Sequence, residues 1–421
     1  MRQAPTPISI KEARKIVRNH IKPGRTETVL VTDAVGRVVA HDLTSDIDVT
    51  PFDDSAMDGF AVRAADIETA TDDAPVALEC VDHIGAGGVF EGVLQPEQTA
   101  RIMTGAIIPE GADAVVKIED VTFTGEGTIG DIVTFCAPTT VGKNIRYAGE
   151  EAKAGDVVVE AGEVITAAGA GLLSACGNLY VEVYARPVVG LISIGSELVE
   201  ADEVPSRGMI RNSNVWAMQA YVAAAGGISK VYPTVPDDVD AIKEVYLRAV
   251  EECDLVVSTG GACLGDFDLT PGILMELGTM HFERVSVKPG KSQPFGEING
   301  TPVFVLSGNP AASSMGFELY VRLAMRIMQG YTQLDRPTVQ ARITCDIRKK
   351  DPRVFLERAV LSRVDDGFEV VTLKNQSSAL FGALQRCNCF AVIPEGLDGV
   401  RMGDIVTCIV CTADESLPMG K

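Results

Sequence analysis

The stretch Asp254 to Asp268, DLVVSTGGACLGDFD, decides the fold: an apolar run of strand length ends in a glycine-rich turn that carries two aspartates. A run such as Leu255 to Ser258 predicts a buried strand, and an open α/β sheet binds ligands in the crevice beyond the carboxyl ends of its strands. The same pattern occurs in VVGLISIGSEL (Val188 to Leu198) and in PVFVLSGNPAASSMGFELY (Pro302 to Tyr320). Each strand-like run there breaks into Gly, Ser and a polar residue. One such loop is an ordinary strand-to-helix turn, whereas three within a segment of domain size predict a shared cleft.

Around this stretch the pattern alternates. It predicts a strand to Ile194, a helix from Asn214 to Ala225, a strand around Val231, a helix from Val239 to Glu252, a helix after Thr270-Pro271 and a closing helix from Pro310. That alternation predicts a doubly wound, mainly parallel sheet over residues 187–332 with helices on both faces. Residues 49–146 read instead as short strands broken by Gly, Pro and Asp, a small inserted β-rich domain. It interrupts an N-terminal domain made of residues 1–48 and 147–186, with helices opening at Ser9 and at Thr166. From Arg336-Pro337 onward, strands with turn signals predict a C-terminal β-barrel-like domain over residues 333–421. The expected class is therefore multidomain α/β plus β.

The chain has 421 residues, too many for one core, and a formal charge of −21. A global field of that sign opposes nucleic acid and anionic membranes, so neither is expected as a partner. Ten cysteines, most of them within apolar runs, read as reduced core thiols. Cys387 and Cys389 have strand spacing, but no histidine cluster supports a metal there. The N-terminus lacks an apolar signal core and no apolar run approaches a membrane span, so the expected compartment is the cytoplasm.

Two clusters carry charge chemistry. In VSVKPGKSQPFG, Lys288 and Lys291 flank Pro289-Gly290, and two ammonium groups on a stiff turn suit an oxyanion. In SGNPAASS, Pro310 begins a helix whose free N–H groups and positive dipole end are expected to face the crevice. Acids are expected at the same sheet edge: Glu197, Asp237 and Asp238, Asp266 and Asp268. Carboxylates near lysines suggest a divalent metal such as Mg²⁺ bridging to a phosphate, with helix capping by Asp237 or Asp268 as the competing explanation. The four histidines stand isolated, so a histidine general base is not expected.

PFDDSAMDGFAV (Pro51 to Val62) carries three acids in an apolar context that packing does not explain. Together with RIMTGAIIPEGADAVV, GKNIRYAGEE, VGLISIGSEL, STGGACLGDFD, VKPGKS and LSGNPAAS, it resembles the molybdopterin molybdenumtransferases, the family of bacterial MoeA and the gephyrin E domain. The resemblance runs in order from about residue 10 to 415. It implies transfer of molybdate onto adenylylated molybdopterin with release of AMP, the last general step of molybdenum cofactor synthesis. It further implies that Lys288, Lys291, Arg358 and Ser377 bind molybdate, and that Glu197, Asp237 and Asp268 place Mg²⁺. Gly260, Gly261 and the loop of Ser307, Asn309 and Pro310 would cradle phosphate and pterin. Asp58 and Thr104, with Arg146, Glu150 and Glu151 beside them, would arch over the cleft of a partner subunit in a homodimer. Molybdopterin adenylyltransferase and molybdoenzyme maturation proteins are the further partners implied. The sequence departs from the commonest family text at Ser292, Ser307 and Glu151, and none of these changes removes a charge. Two other readings share features: an adenylyltransferase, through the middle α/β domain and its TGG loop, and a non-enzymatic gephyrin-like scaffold.

Overall fold

The computed structural model describes residues 5–261 and 269–411, and the chain divides into two compact units, residues 28–183 and residues 1–27 with 184–421. In the larger unit a six-stranded sheet runs in the order Ile228–Val231, Val188–Ser193, Leu255–Thr259, Thr301–Leu306, Ser292–Ile298, Thr279–Arg284. The first four strands are parallel, and the last two form an antiparallel extension at one edge.

Side-chain alternation explains why this sheet is covered on both faces. Leu255, Val257, Phe304 and Leu306 enter one core with Met218, Phe295 and Met315. Val256, Val303 and Val305 enter the other with Ile242, Tyr246 and Leu274. A strand buried on both faces reads as a continuous apolar run, as the central strands do here. The helices Asn214–Ala224 and Pro310–Gly316 serve the first core, and Val239–Glu252 and Thr270–Leu277 the second. Asp238 caps Val239–Glu252, its Oδ1 accepting from Ala241 N–H at 2.9 Å. Ile10–His20 is capped by Ser9, whose Oγ accepts from Glu12 N–H at 3.1 Å.

The C-terminal strands close into a five-stranded barrel. Val354–Val364 pairs with Gly367–Thr372, which pairs with Thr338–Ile343, then Ile405–Val410, then Cys389–Ile393, which returns to Val354–Val364. Closure leaves no free edge and buries Ala341, Phe355, Leu361, Val370, Ala391 and Val406. Cys387 is not in a strand. It caps the short helix Gly382–Arg386, and the strand begins at Cys389, so their shared strand face does not form.

The smaller unit is built on a second six-stranded sheet, in the order Ala114–Lys117, Gly59–Val62, Gln98–Ile102, Val76–Ile84, Ile132–Phe135, Val121–Phe123. Phe60, Val62, Leu78, Val133 and Phe135 fill its core. Its helix Ala167–Ala175 is capped by Thr166, whose Oγ1 accepts from Gly169 N–H at 2.9 Å. Among the described residues, no helix is long and apolar enough to cross a membrane.

Phe304 is fully buried and stacks on Phe295 with centroids 4.5 Å apart. Phe304→Ala is expected to lose about 3–5 kcal/mol of stability, read as a lowered urea midpoint at unchanged slope.

Candidate functional site

Three loops leave the carboxyl ends of neighbouring parallel strands and meet. Ile194 N–H donates to Thr259 O at 2.9 Å, and Gly260 N–H donates to Leu306 O at 3.2 Å. A methyl group on Gly260 would lie 2.0 Å from Ile194 O, and one on Gly308 would lie 3.6 Å from Gly260 Cα. Gly260 also has a φ of +96°, so backbone geometry and close approach both require glycine there. Gly261 follows at φ +60°, with its carbonyl accepting from Thr270 Oγ1 at 2.8 Å.

The helix from Pro310 does not offer the free donors that its position in the sequence suggests. Ala311 N–H donates to Ser378 O at 2.8 Å, and the N–H groups of Ala312 and Ser313 both return to Asn309 O at 3.0 Å. The first turn therefore fixes the loop around Gln376 to Ser378 against this helix.

Beside these loops lies a cavity of about 590 Å³. Its wall holds Lys288, Lys291, Ser307, Asn309, Arg358 and Ser377, six residues singled out from the sequence, together with Arg284, Arg353 and Glu357. Five cations in one wall, within a chain of charge −21, form a local basic field against the global one. Val287–Lys288 pairs in parallel with Val354–Phe355, and Arg353 Nη1 donates to Val287 O at 3.0 Å, so barrel and lysine turn are tied by backbone. Lys288 Nζ lies 4.4 Å from the Phe355 ring centroid, a cation–π contact that restrains the ammonium.

Arg358 is only 1% exposed, although it stands on a barrel strand. Burial pulls its guanidinium below the ordinary arginine value. Its Nη2 donates to Ser377 O at 3.3 Å, while its Nε and that of Arg284 are buried and without a partner among the described residues. Buried donors left unpaired cost free energy that an anion in the cavity would recover. Arg353 is bidentate to Asp351, whose carboxyl its hydrogen bonds hold down to about 2.

Glu197, Asp237, Gly260, Gly261 and Pro310 are not among the described residues of that wall. Asp237 Oδ2 accepts from Ser196 N–H at 2.8 Å and its own N–H donates to Ser196 Oγ at 3.0 Å, which holds the Glu197 loop beside it. Helix capping belongs to Asp238 and not to Asp237. Asp266 and Asp268 lie outside the described residues. Among the described residues, no three His, Cys, Asp or Glu side chains gather closely enough for a metal ion. Glu197 and Asp237 do not by themselves amount to a magnesium site.

Asp58 and Thr104 sit in the smaller unit and face one another: Thr104 N–H and Oγ1 donate to Asp58 Oδ1 at 2.7 and 2.8 Å. The Thr104 backbone donor is the chief reason that this carboxyl lies below its ordinary range. Arg146 Nε donates to Asp54 Oδ1 at 2.7 Å, and Arg146, Glu150 and Glu151 line one groove of the same unit.

Residues 8–177 match the MoeA N-terminal region (domain I and II), residues 190–326 a probable molybdopterin binding domain, and residues 340–411 the MoeA C-terminal region (domain IV). A molybdopterin molybdenumtransferase of Bacillus subtilis is 36% identical over 409 residues, covering 96% of this chain and 94% of the relative. One of Staphylococcus aureus is 34% identical, covering 97% and 96%. The chain belongs to the MoeA family. A solved molybdopterin biosynthesis MoeA protein from Pyrococcus horikoshii superposes with a TM-score of 0.82 at 29% identity, covering 96% of this chain and 99% of that one.

Within this MoeA chain, reading the sequence missed Arg284, Arg353 and Glu357. The run RKKDPR, Arg348 to Arg353, was a usable signal, since four cations in six residues are unusual in so acidic a chain. Arg284 carried no such mark.

Gly260→Ala is expected to cost on the order of 1–3 kcal/mol through backbone conformation and to push Ile194 away from the crevice. Thermal unfolding, with anion binding measured on the surviving fold, checks both effects.

Proposed function

We propose that this chain is a molybdopterin molybdenumtransferase, which inserts molybdate into adenylylated molybdopterin and releases AMP. The observation that carries the reading is the cavity in which Lys288, Lys291, Arg284, Arg353 and Arg358 converge on a space walled by Ser307, Asn309 and Ser377.

Molybdate is a tetrahedral dianion. Two ammonium groups and three guanidinium groups supply charge-assisted hydrogen bonds from several directions, and the serine hydroxyls donate to the remaining oxygens. The two lysines stand on a turn pinned between sheet and barrel, so little reorganisation of them is needed when the anion arrives. The glycine loops at Gly260 and Gly261 leave backbone close to the crevice, where a pyrophosphate-linked pterin can approach without meeting side chains. An ene-dithiol displaces one oxygen from molybdenum as two Mo–S bonds form, its two S–H protons leaving with that oxygen as water, so protons move beside a dianion in this cavity.

The reading includes magnesium dependence, resting on the family resemblance at Glu197, Asp237 and Asp268, and a cytoplasmic setting. It includes a homodimer in which Asp58 and Thr104 of one copy complete the site of the other, and, as partners, an adenylyltransferase that supplies the substrate and maturation proteins that receive the product.

Lys291→Ala and Asp58→Asn are each expected to abolish AMP release and molybdenum incorporation when purified protein meets adenylylated molybdopterin, Mg²⁺ and molybdate, with circular dichroism unchanged. Mixing the two variants after dissociation and reassembly is expected to restore turnover, since one site per mixed dimer is intact. Wild-type turnover in both variants would overturn the site, and failure of the mixture to recover would overturn the shared-site dimer.

A further inference from the structure

Among the described residues, Glu357 is the one carboxylate in the wall of the cationic cavity. It is half-buried on Val354–Val364, directly before Arg358. Among the described residues it makes no hydrogen bond and no ion pair, although cations surround it. The reason lies in how those cations are already held. Arg353 is bidentate to Asp351, Arg358 Nη2 donates to Ser377 O, and Lys288 lies over Phe355. Arg284 enters from Thr279–Arg284 and Lys291 from the Pro289-Gly290 turn, while the loop of Gln376, Ser377 and Ser378 and the segment from Ser307 bring only neutral groups.

A charged carboxylate in this position opposes any dianion bound beside it, and among the described residues no salt bridge neutralises it. A protonated carboxyl, by contrast, is a hydrogen-bond donor. We infer that Glu357 couples oxyanion binding to proton uptake: as the neutral acid its O–H donates to an oxygen of the bound molybdate, and as the anion it repels that molybdate. The inference rests on the oxyanion reading of the cavity. Burial already raises this carboxyl above its ordinary value, against the pull of Arg358 and Lys288.

The sign follows from linkage. A bound dianion raises the Glu357 pKa above its value in the free protein, so the complex holds more protons than its components. Molybdate affinity is level below the free pKa, falls by about tenfold per pH unit between the free and bound values, and is level again above the bound value.

Calorimetric titration of the purified full chain with molybdate alone, from about pH 6 to about pH 8 and in buffers of different ionisation enthalpy, tests this. That window lies below the titration of lysine. Wild type is expected to take up as much as one proton per molybdate and to bind more tightly at the acid end. Glu357→Gln keeps an N–H donor and cannot titrate, so it is expected to bind with no proton uptake and a level pH profile, and more tightly than wild type at the alkaline end. Wild-type binding without proton uptake, or a Glu357→Gln profile with the wild-type slope, overturns the role of Glu357 and leaves the oxyanion site standing. The wild-type buffer comparison decides even if the variant does not fold. Absence of saturable molybdate binding by the folded wild type, matching that of Lys291→Ala, overturns the oxyanion site itself and the proton coupling with it.

Discussion

The structure of the larger unit depends on holding like charges together. Lys288, Lys291, Arg284, Arg353 and Arg358 repel one another, and nothing in their own chemistry would gather them. What gathers them is backbone pairing across two separately packed cores. Ser292–Ile298 is fixed by its pairing within the central sheet, and Val287–Lys288 by its pairing with the barrel strand Val354–Val364, so the four-residue lysine turn is clamped at both ends. The free energy that overcomes the repulsion comes from burying Phe295, Phe304 and Leu306 on one side and Phe355, Leu361 and Ala391 on the other. Asp351 relieves part of it by engaging Arg353.

This division of labour separates what is visible in the sequence from what is not. The central strands were legible because strands buried on both faces are uninterrupted apolar runs, and their glycine-rich ends mark where the backbone must turn under a neighbour. Helix starts were legible where a side chain caps them, as at Ser9 and Thr166. At 237 and 238 two adjacent aspartates offered the same chemistry, and only the backbone direction decides that Asp238 caps while Asp237 holds Ser196. The membership of the cavity was legible only in part. Lys288 and Lys291 announce themselves by flanking Pro-Gly, whereas Arg284 carries no local mark and reaches the wall because its strand pairs with Ser292–Ile298 at the edge of the central sheet. Pro310 shows the converse error. A proline at a helix start does promise unpaired donors, but the carbonyl of Ser378, far along the chain, takes one of them, and Asn309 takes the next two.

Asp58 and Glu357 show how one functional group, the carboxyl, is pushed in opposite directions by its surroundings. Asp58 accepts two hydrogen bonds from Thr104, the backbone donor foremost, and those bonds favour the charged form. Glu357 has nearby positive charge but no hydrogen-bond donor, and burial favours its neutral form. Proximity to cations is therefore a poor guide to a carboxyl's state, because a cation that donates no hydrogen bond to an anion stabilises it only through space. In the shared-site dimer proposed above, a fixed carboxylate at Asp58 and a titratable one at Glu357 would be complementary. The first can orient a ligand without changing charge, and the second can change charge without moving.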